Sequence, residues 1–152
     1  MSKLYVAYGA NLNKRSMKSR CPLAIPRGTL ELKGYKLIFN NVANIIKSKD
    51  DSVPVVVWSI EKQCEESLDK FEGVPSLYRK EEIDLAPYGL NIGFAYIMNY
   101  QGYRLPSKSY LDAIREGYDD FGLDKEKLAN AVLDSSREVH PYQIVRGGSR
   151  WS

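Results

Sequence analysis

The chain is poor in the residues that most often carry metal or nucleophilic chemistry. Its 152 residues include one histidine, His140, and two cysteines, Cys21 and Cys64. So few soft ligands assemble no zinc site. Two cysteines do not make a disulfide framework, and these two lack metal-ligand spacing. No local signature supports a Cys/His nucleophile pair, and His140, in a terminal stretch without hydrophobic pattern, reads as a bystander. Long apolar runs are missing too. The opening MSKLYVAYGAN is too short for a signal peptide and nothing approaches a membrane span, so the cytoplasm is the default location and no membrane is expected as a partner. Nor is charge of one sign in excess. The balance of 22 basic against 19 acidic side chains, net +3, is too even to argue for nucleic acid. The basic cluster Lys14, Arg15, Lys18 and Arg20 has no interleaved aromatics on which bases would stack, and reads as a solvated helix face.

What is present fits one soluble domain, expected over 1–137 and followed by a poorly ordered tail at 138–152 that ends in RGGSRWS. Hydrophobic residues make up 43% and charged residues 27%, ordinary for a globular protein. Eleven tyrosines against four phenylalanines suit polar-tipped pockets or barrel faces, and such faces are compatible with a homodimer.

The pattern alternates between strands and helices. Leu4 to Tyr8 reads as a buried strand ended by Gly9. Asn11 and Asn13 suit N-caps for a helix to about Arg20, broken by Cys21-Pro22. Thr29 to Asn40 alternates with a slip at Gly34, as a bulge requires. Val42 to Asp51 reads as an irregular polar excursion, and Val53 to Ile60 as a central strand buried on both faces. Glu61 to Phe71 is helical, with Cys64, Leu68 and Phe71 in a stripe. Strands follow over Tyr78–Leu85 and Ile92–Tyr100, then helices over Ser107–Phe121 and from Asp124 to about Ser136. The class is α+β, with a mixed, mostly antiparallel sheet able to close into a small β-barrel with flanking helices.

Two stretches carry chemistry. In LDKFEGVPSLYRK, Glu72 falls where its helix must stop, since Gly73 offers a C-terminal cap and Pro75 forbids resumption. It projects close to the apolar stripe. The negative helix end and partial burial both disfavour its charge and raise its pKa, as a proton shuttle near neutral pH requires. The plainer alternative is a glutamate facing water. In Tyr5-Val6-Ala7-Tyr8-Gly9-Ala10-Asn11-Leu12, a strand runs through Gly9 into a helix start, whose free N–H groups can hold a carboxylate or an oxyanion.

YGANL, LDKFEGVPSLY and the later YIMNYQGYRLPSKSYLDAIREGYDDFGL occur in the order and at the separations of the gamma-glutamylcyclotransferase family, which the chain resembles from residue 4 to about 133. That family is marked by a Y-G-S-N-L loop, an E-G-V motif with the catalytic glutamate and a P-S-x-x-Y helix start. The resemblance implies a small mixed β-barrel with flanking helices. It also implies a cofactor-independent acyltransferase or lyase linked to glutathione metabolism. In that reaction the α-amine of a γ-glutamyl group attacks its own γ-carbonyl, forming 5-oxoproline and releasing an amine or amino acid. Glu72 matches the catalytic glutamate. Tyr5, Val6, Ala7, Tyr8, Gly9, Ala10 and Asn11 match the substrate loop and its strand, and Tyr110 matches a substrate-contacting tyrosine. Tyr78 and Tyr96 match pocket positions, with plain barrel packing as the alternative. Ala10 stands where the family loop usually has serine. Two other readings compete: a non-catalytic binder of a small acid or peptide on the same fold, and an RNA-associated surface resting on scattered charge alone.

Overall fold

The computed structural model describes residues 2–139; His140 and residues 140–152 of the expected tail lie outside them. Five strands, β1 (Lys3–Ala7), β2 (Ile25–Asn40), β3 (Val42–Ile60), β4 (Tyr78–Ile83) and β5 (Gly93–Met98), form one sheet in the order β2-β3-β1-β5-β4. Only β1 and β5 run parallel; the other pairs are antiparallel. Four helices flank the sheet: α1 (Lys14–Arg20), α2 (Lys62–Phe71), α3 (Lys108–Asp120) and α4 (Lys125–Glu138). None of the helices among the described residues is long and apolar enough to cross a membrane.

The second half of β3 is the core of the sheet. Val53 and Val55 to Val57 are fully buried; β2 pairs along this segment and β1 from Val56 to Ile60. Its first half departs from expectation. Residues 42–51 are not an irregular excursion but the second arm of a long hairpin, turning at Asn41 with φ 74°. Polar residues hid the arm, because this part of the hairpin extends past the core and only Ala43, Asn44 and Ile45 of it are buried. Gly34 behaves as its place in the pattern predicts: the register shifts between Lys33 and Tyr35, and Gly34 adopts φ 87°.

The sheet does not close into a barrel. Its edges are β2 and β4, with no ladder between them. The end of β2 is satisfied in other ways. The Phe39 N–H donates to Ser135 Oγ of α4, and its carbonyl accepts from the Arg104 N–H. With these groups engaged, no further strand is needed at that end. Helix α3 packs against the short 3-10 turn Ala10–Leu12, at a contact that only glycine allows. A Cβ at Gly117 would stand 2.6 Å from Leu12 Cβ. Asn13 caps α1 by accepting from the Ser16 N–H, and its amide donates to the Ala113 carbonyl and to Glu116.

A disulfide joins Cys21 to Cys64. Counting cysteines ruled out a framework, and a single bridge between residues 43 positions apart left no trace in the spacing. The bridge ties the end of α1 to α2.

Candidate active site

The end of α2 explains the position of Glu72. Gly73 takes φ 66°, in the left-handed region, and its N–H donates to the Lys70 carbonyl while the Val74 N–H donates to Asp69. This paired closure is a Schellman motif. It makes Glu72 the C-cap of the helix, one residue past Phe71, and turns the chain away there.

Glu72 faces a cavity of about 120 Å³. Tyr5, Tyr8, Gly9, Ala10 and Asn11 line it from β1 and the turn that follows. Val42 and Ala43 come from β3, Phe71 and Glu72 from α2, and Leu77, Tyr78, Tyr96 and Tyr110 from elsewhere. Val6 and Ala7 do not line it. They are buried in β1 opposite Val57 and Val56, so their place is in the scaffold. A larger groove of about 820 Å³ lies elsewhere. Its Lys3, Glu65 and Lys80 are paired with one another, so it presents an ion-paired surface rather than an isolated acid. Among the described residues no cluster of three or more metal-binding side chains occurs.

Burial lifts the Glu72 carboxyl to about 7, against the opposing pull of the Arg20 charge. The solvated alternative is therefore not what the fold builds. The same burial pushes the phenols of Tyr5, Tyr8, Tyr78, Tyr96 and Tyr110 far up. All five remain protonated, and the question becomes where each proton points.

Partners of fixed polarity answer it. A carbonyl or carboxylate oxygen only accepts, so Tyr8 donates to the Tyr96 carbonyl, Tyr78 to the Ala43 carbonyl at 2.7 Å, and Tyr96 to Asp69 Oδ1 at 2.7 Å. An N–H only donates, so Tyr110 accepts from the Ala43 N–H at 2.9 Å. Arg20 settles Tyr5. A guanidinium has donors alone, so its contact at 2.9 Å must be to Asn11 Oδ1. The Asn11 Nδ2 then donates to the Tyr5 hydroxyl at 3.0 Å. Tyr5 and Tyr110 thus keep free protons beside Glu72, whereas Tyr8, Tyr78 and Tyr96 have theirs committed to the protein.

The turn is held from several directions. The Asn11 carbonyl accepts from Trp58 Nε1 at 3.1 Å. The turn's first hydrogen bonds come from the N–H groups of Leu12 and Asn13, so those of Gly9, Ala10 and Asn11 precede the intrahelical ladder. A Cβ at Gly9 would lie 3.0 Å from Ala43 Cβ and 3.4 Å from the Tyr110 hydroxyl, so a side chain there would crowd the cavity.

Arg20 escaped the sequence reading. Lys14, Arg15 and Lys18 are exposed as a solvated face predicts, but Arg20 is half-buried, with its guanidinium 3.7 Å from the centroid of the Phe71 ring. Phe71, expected inside the stripe, is 50% exposed and serves as the platform for that cation. The only available signal was the position of Arg20, one residue before the cysteine that joins the two helices.

The family model for gamma-glutamyl cyclotransferase, AIG2-like, matches residues 5–116. A bovine gamma-glutamylcyclotransferase is 38% identical over 87 residues, covering 49% of this chain and 46% of the relative. This chain thus spans less than half of the bovine protein's length in that alignment. A human gamma-glutamylcyclotransferase is 34% identical over 140 residues, covering 82% of this chain and 74% of the relative. A solved gamma-glutamyl cyclotransferase superposes with a TM-score of 0.75 at 28% identity, covering 86% of each chain.

Proposed function

Since the chain belongs to the gamma-glutamyl cyclotransferase, AIG2-like family, we propose that it is an enzyme that cyclises the γ-glutamyl group of a small amide to 5-oxoproline. The observation that carries this reading is a half-buried carboxyl, Glu72, with a pKa of about 7, in one small cavity with two free phenolic protons and a turn of main-chain donors.

The chemistry follows from those groups. Glu72 as carboxylate takes a proton from the substrate's α-ammonium. The freed amine nitrogen attacks the γ-carbonyl carbon of the same molecule. Nucleophile and electrophile are already joined, so holding the chain folded supplies much of the acceleration. As the carbonyl oxygen gains charge, the hydroxyls of Tyr5 and Tyr110 and the N–H groups at Gly9, Ala10 and Asn11 are the available donors. Glu72 passes that proton to the departing nitrogen, the γ-carbon–nitrogen bond breaks, and the regenerated carboxylate takes the second proton from the ring nitrogen and delivers it to the released amine, leaving the neutral lactam. One carboxyl serves as base and then acid because its pKa lies near the working pH. No step calls for a cofactor. Release of 5-oxoproline, a link to glutathione metabolism and a cytoplasmic site of action all belong to this reading. In the cytoplasm the Cys21–Cys64 pair would meet a reducing thiol pool.

A panel of γ-glutamyl amines and γ-glutamyl amino acids, assayed for 5-oxoproline, tests the proposal. The expected result is release by the native protein and a deep loss in Glu72→Gln with its circular dichroism unchanged. Binding without release from any member of the panel would instead favour a non-catalytic binder of the same fold.

A further inference from the structure

We propose that Arg20 forms an anion subsite at the rim of the cavity and selects substrates whose leaving group carries a carboxylate. This rests on the cyclisation reading and adds a specificity-determining residue to it.

The guanidinium is half-buried, and burial lowers its pKa, yet arginine keeps its charge in any protein setting. Of its five N–H donors, its one hydrogen bond goes to the neutral Asn11 Oδ1. No carboxylate among the described residues pairs with it. Several other cations are paired with carboxylates: Lys80 with Glu65 and Asp69, Arg79 with Glu81, Arg15 with Glu116. Among the groups whose charge it feels, Glu72 is the one carboxyl, and protonating it leaves a partly desolvated cation without an anion, which costs free energy; a bound carboxylate would relieve that cost.

Its place indicates which carboxylate. The charge of Arg20 is felt at Tyr5, Glu72 and Tyr110, all of which line the cavity. Arg20 itself stands outside that lining, stacked on the half-exposed Phe71. A cavity of about 120 Å³ has room for the glutamyl group. In this proposal the part that departs extends past it toward Phe71. Val42 and Leu77 add apolar surface to the lining, and no lysine or arginine lines the cavity. The rim therefore offers apolar contact to a side chain and a single planar cation to a carboxylate, which a guanidinium can hold through two parallel hydrogen bonds. A γ-glutamyl amino acid has both features, and a simple γ-glutamyl amine lacks the carboxylate.

The test compares γ-glutamyl-L-alanine with γ-glutamyl-L-alaninamide, which differ in that carboxylate alone, by kcat/KM for 5-oxoproline release. The ratio cancels any effect common to both substrates, including altered ionisation of Glu72. In the native protein the acid is favoured about tenfold or more, the size expected of a charge-assisted pair. In Arg20→Met the ratio falls to about one, and Arg20→Lys keeps part of it. Phe71→Leu removes the ring beneath the guanidinium at an exposed position and lowers the ratio part of the way, whatever the fate of the Arg20 variants. A native ratio near one, or a ratio unchanged in folded Arg20→Met, overturns the subsite while leaving the reaction standing. No 5-oxoproline from either substrate overturns the cyclisation reading and the subsite with it.

Discussion

The two sides of the cavity are built differently. The inner side, formed by β1, its turn, β4 and β5, is closed. Asn11 is held through its amide and its carbonyl, and the protons of Tyr8, Tyr78 and Tyr96 are committed to protein acceptors. The outer side, where α1 meets the end of α2, carries the charges: Glu72, Arg20 and the exposed ring of Phe71. Hydrogen bonds fix the inner side, and a covalent bridge joins the end of α1 to the first turn of α2, the two helices that form the outer one. A rigid inner wall suits recognition of the part all substrates share. A charged, partly exposed edge suits proton movement and discrimination among leaving groups.

Glu72→Gln should break the contrast most deeply. A lost general acid–base group slows release of 5-oxoproline by about 10²–10⁴-fold. In the native enzyme, kcat/KM should fall as pH drops below about 7, where Glu72 becomes protonated. Stability should move in the opposite sense. The folded-state pKa of Glu72 lies above its ordinary 4.5, so the folded protein loses stability as pH rises from about 4.5 to about 7. The glutamine variant should therefore be more stable than native by roughly 1–3 kcal/mol above that window, with no difference below it. Urea melts at pH 4 and pH 8 read this, and a variant less stable at pH 8 would contradict it.

Removing the bridge tests whether the outer side depends on its covalent tie. Cys21→Ser with Cys64→Ser, or the reduced native protein, should lose about 2–4 kcal/mol of unfolding free energy. Denaturant titration with and without reductant measures this, and coincident curves would mean the two helices hold together unaided.

The tyrosines sharpen the comparison. Tyr5→Phe and Tyr110→Phe, which delete free donors, should lower kcat by about 10²-fold, and the Asn11 amide or Ala43 N–H left unpaired should cost about 1–3 kcal/mol of stability as well. Tyr8→Phe and Tyr78→Phe leave a carbonyl of Tyr96 or Ala43 unpaired and should show chiefly as about 1–3 kcal/mol of lost stability. If all four variants lost rate alike, the division between free and committed hydroxyls would be wrong. The smallest effect is expected from Ala10→Ser, which adds a hydroxyl to the turn. One neutral hydrogen bond contributes about 0.5–1.5 kcal/mol, so KM should fall by no more than about tenfold.

Local rules accounted for much of this architecture. Gly34 marked a bulge, Asn13 and Ser107 capped helices as their side chains allow, and Gly73 before Pro75 located the end of α2. Where the reading went astray, the deciding contacts were distant in sequence. Residues 42–51 look irregular until paired with β2. Barrel closure depended on whether α4 and Arg104 would satisfy the end of β2. Arg20 looked like its exposed neighbours because helical spacing alone does not show which side of a two-turn helix another helix will meet.

The order of strands and helices, the end of α2 at Glu72 and the residue types gathered around the turn were determined by the sequence itself, through periodicity, capping and backbone restriction, which act over a few neighbours. Which hydroxyl protons remain free, how far burial shifts the carboxyl and which cation stands beside it were decided only by the tertiary structure. Each depends on the direction and desolvation of groups that meet across tens of residues, and those have no local code.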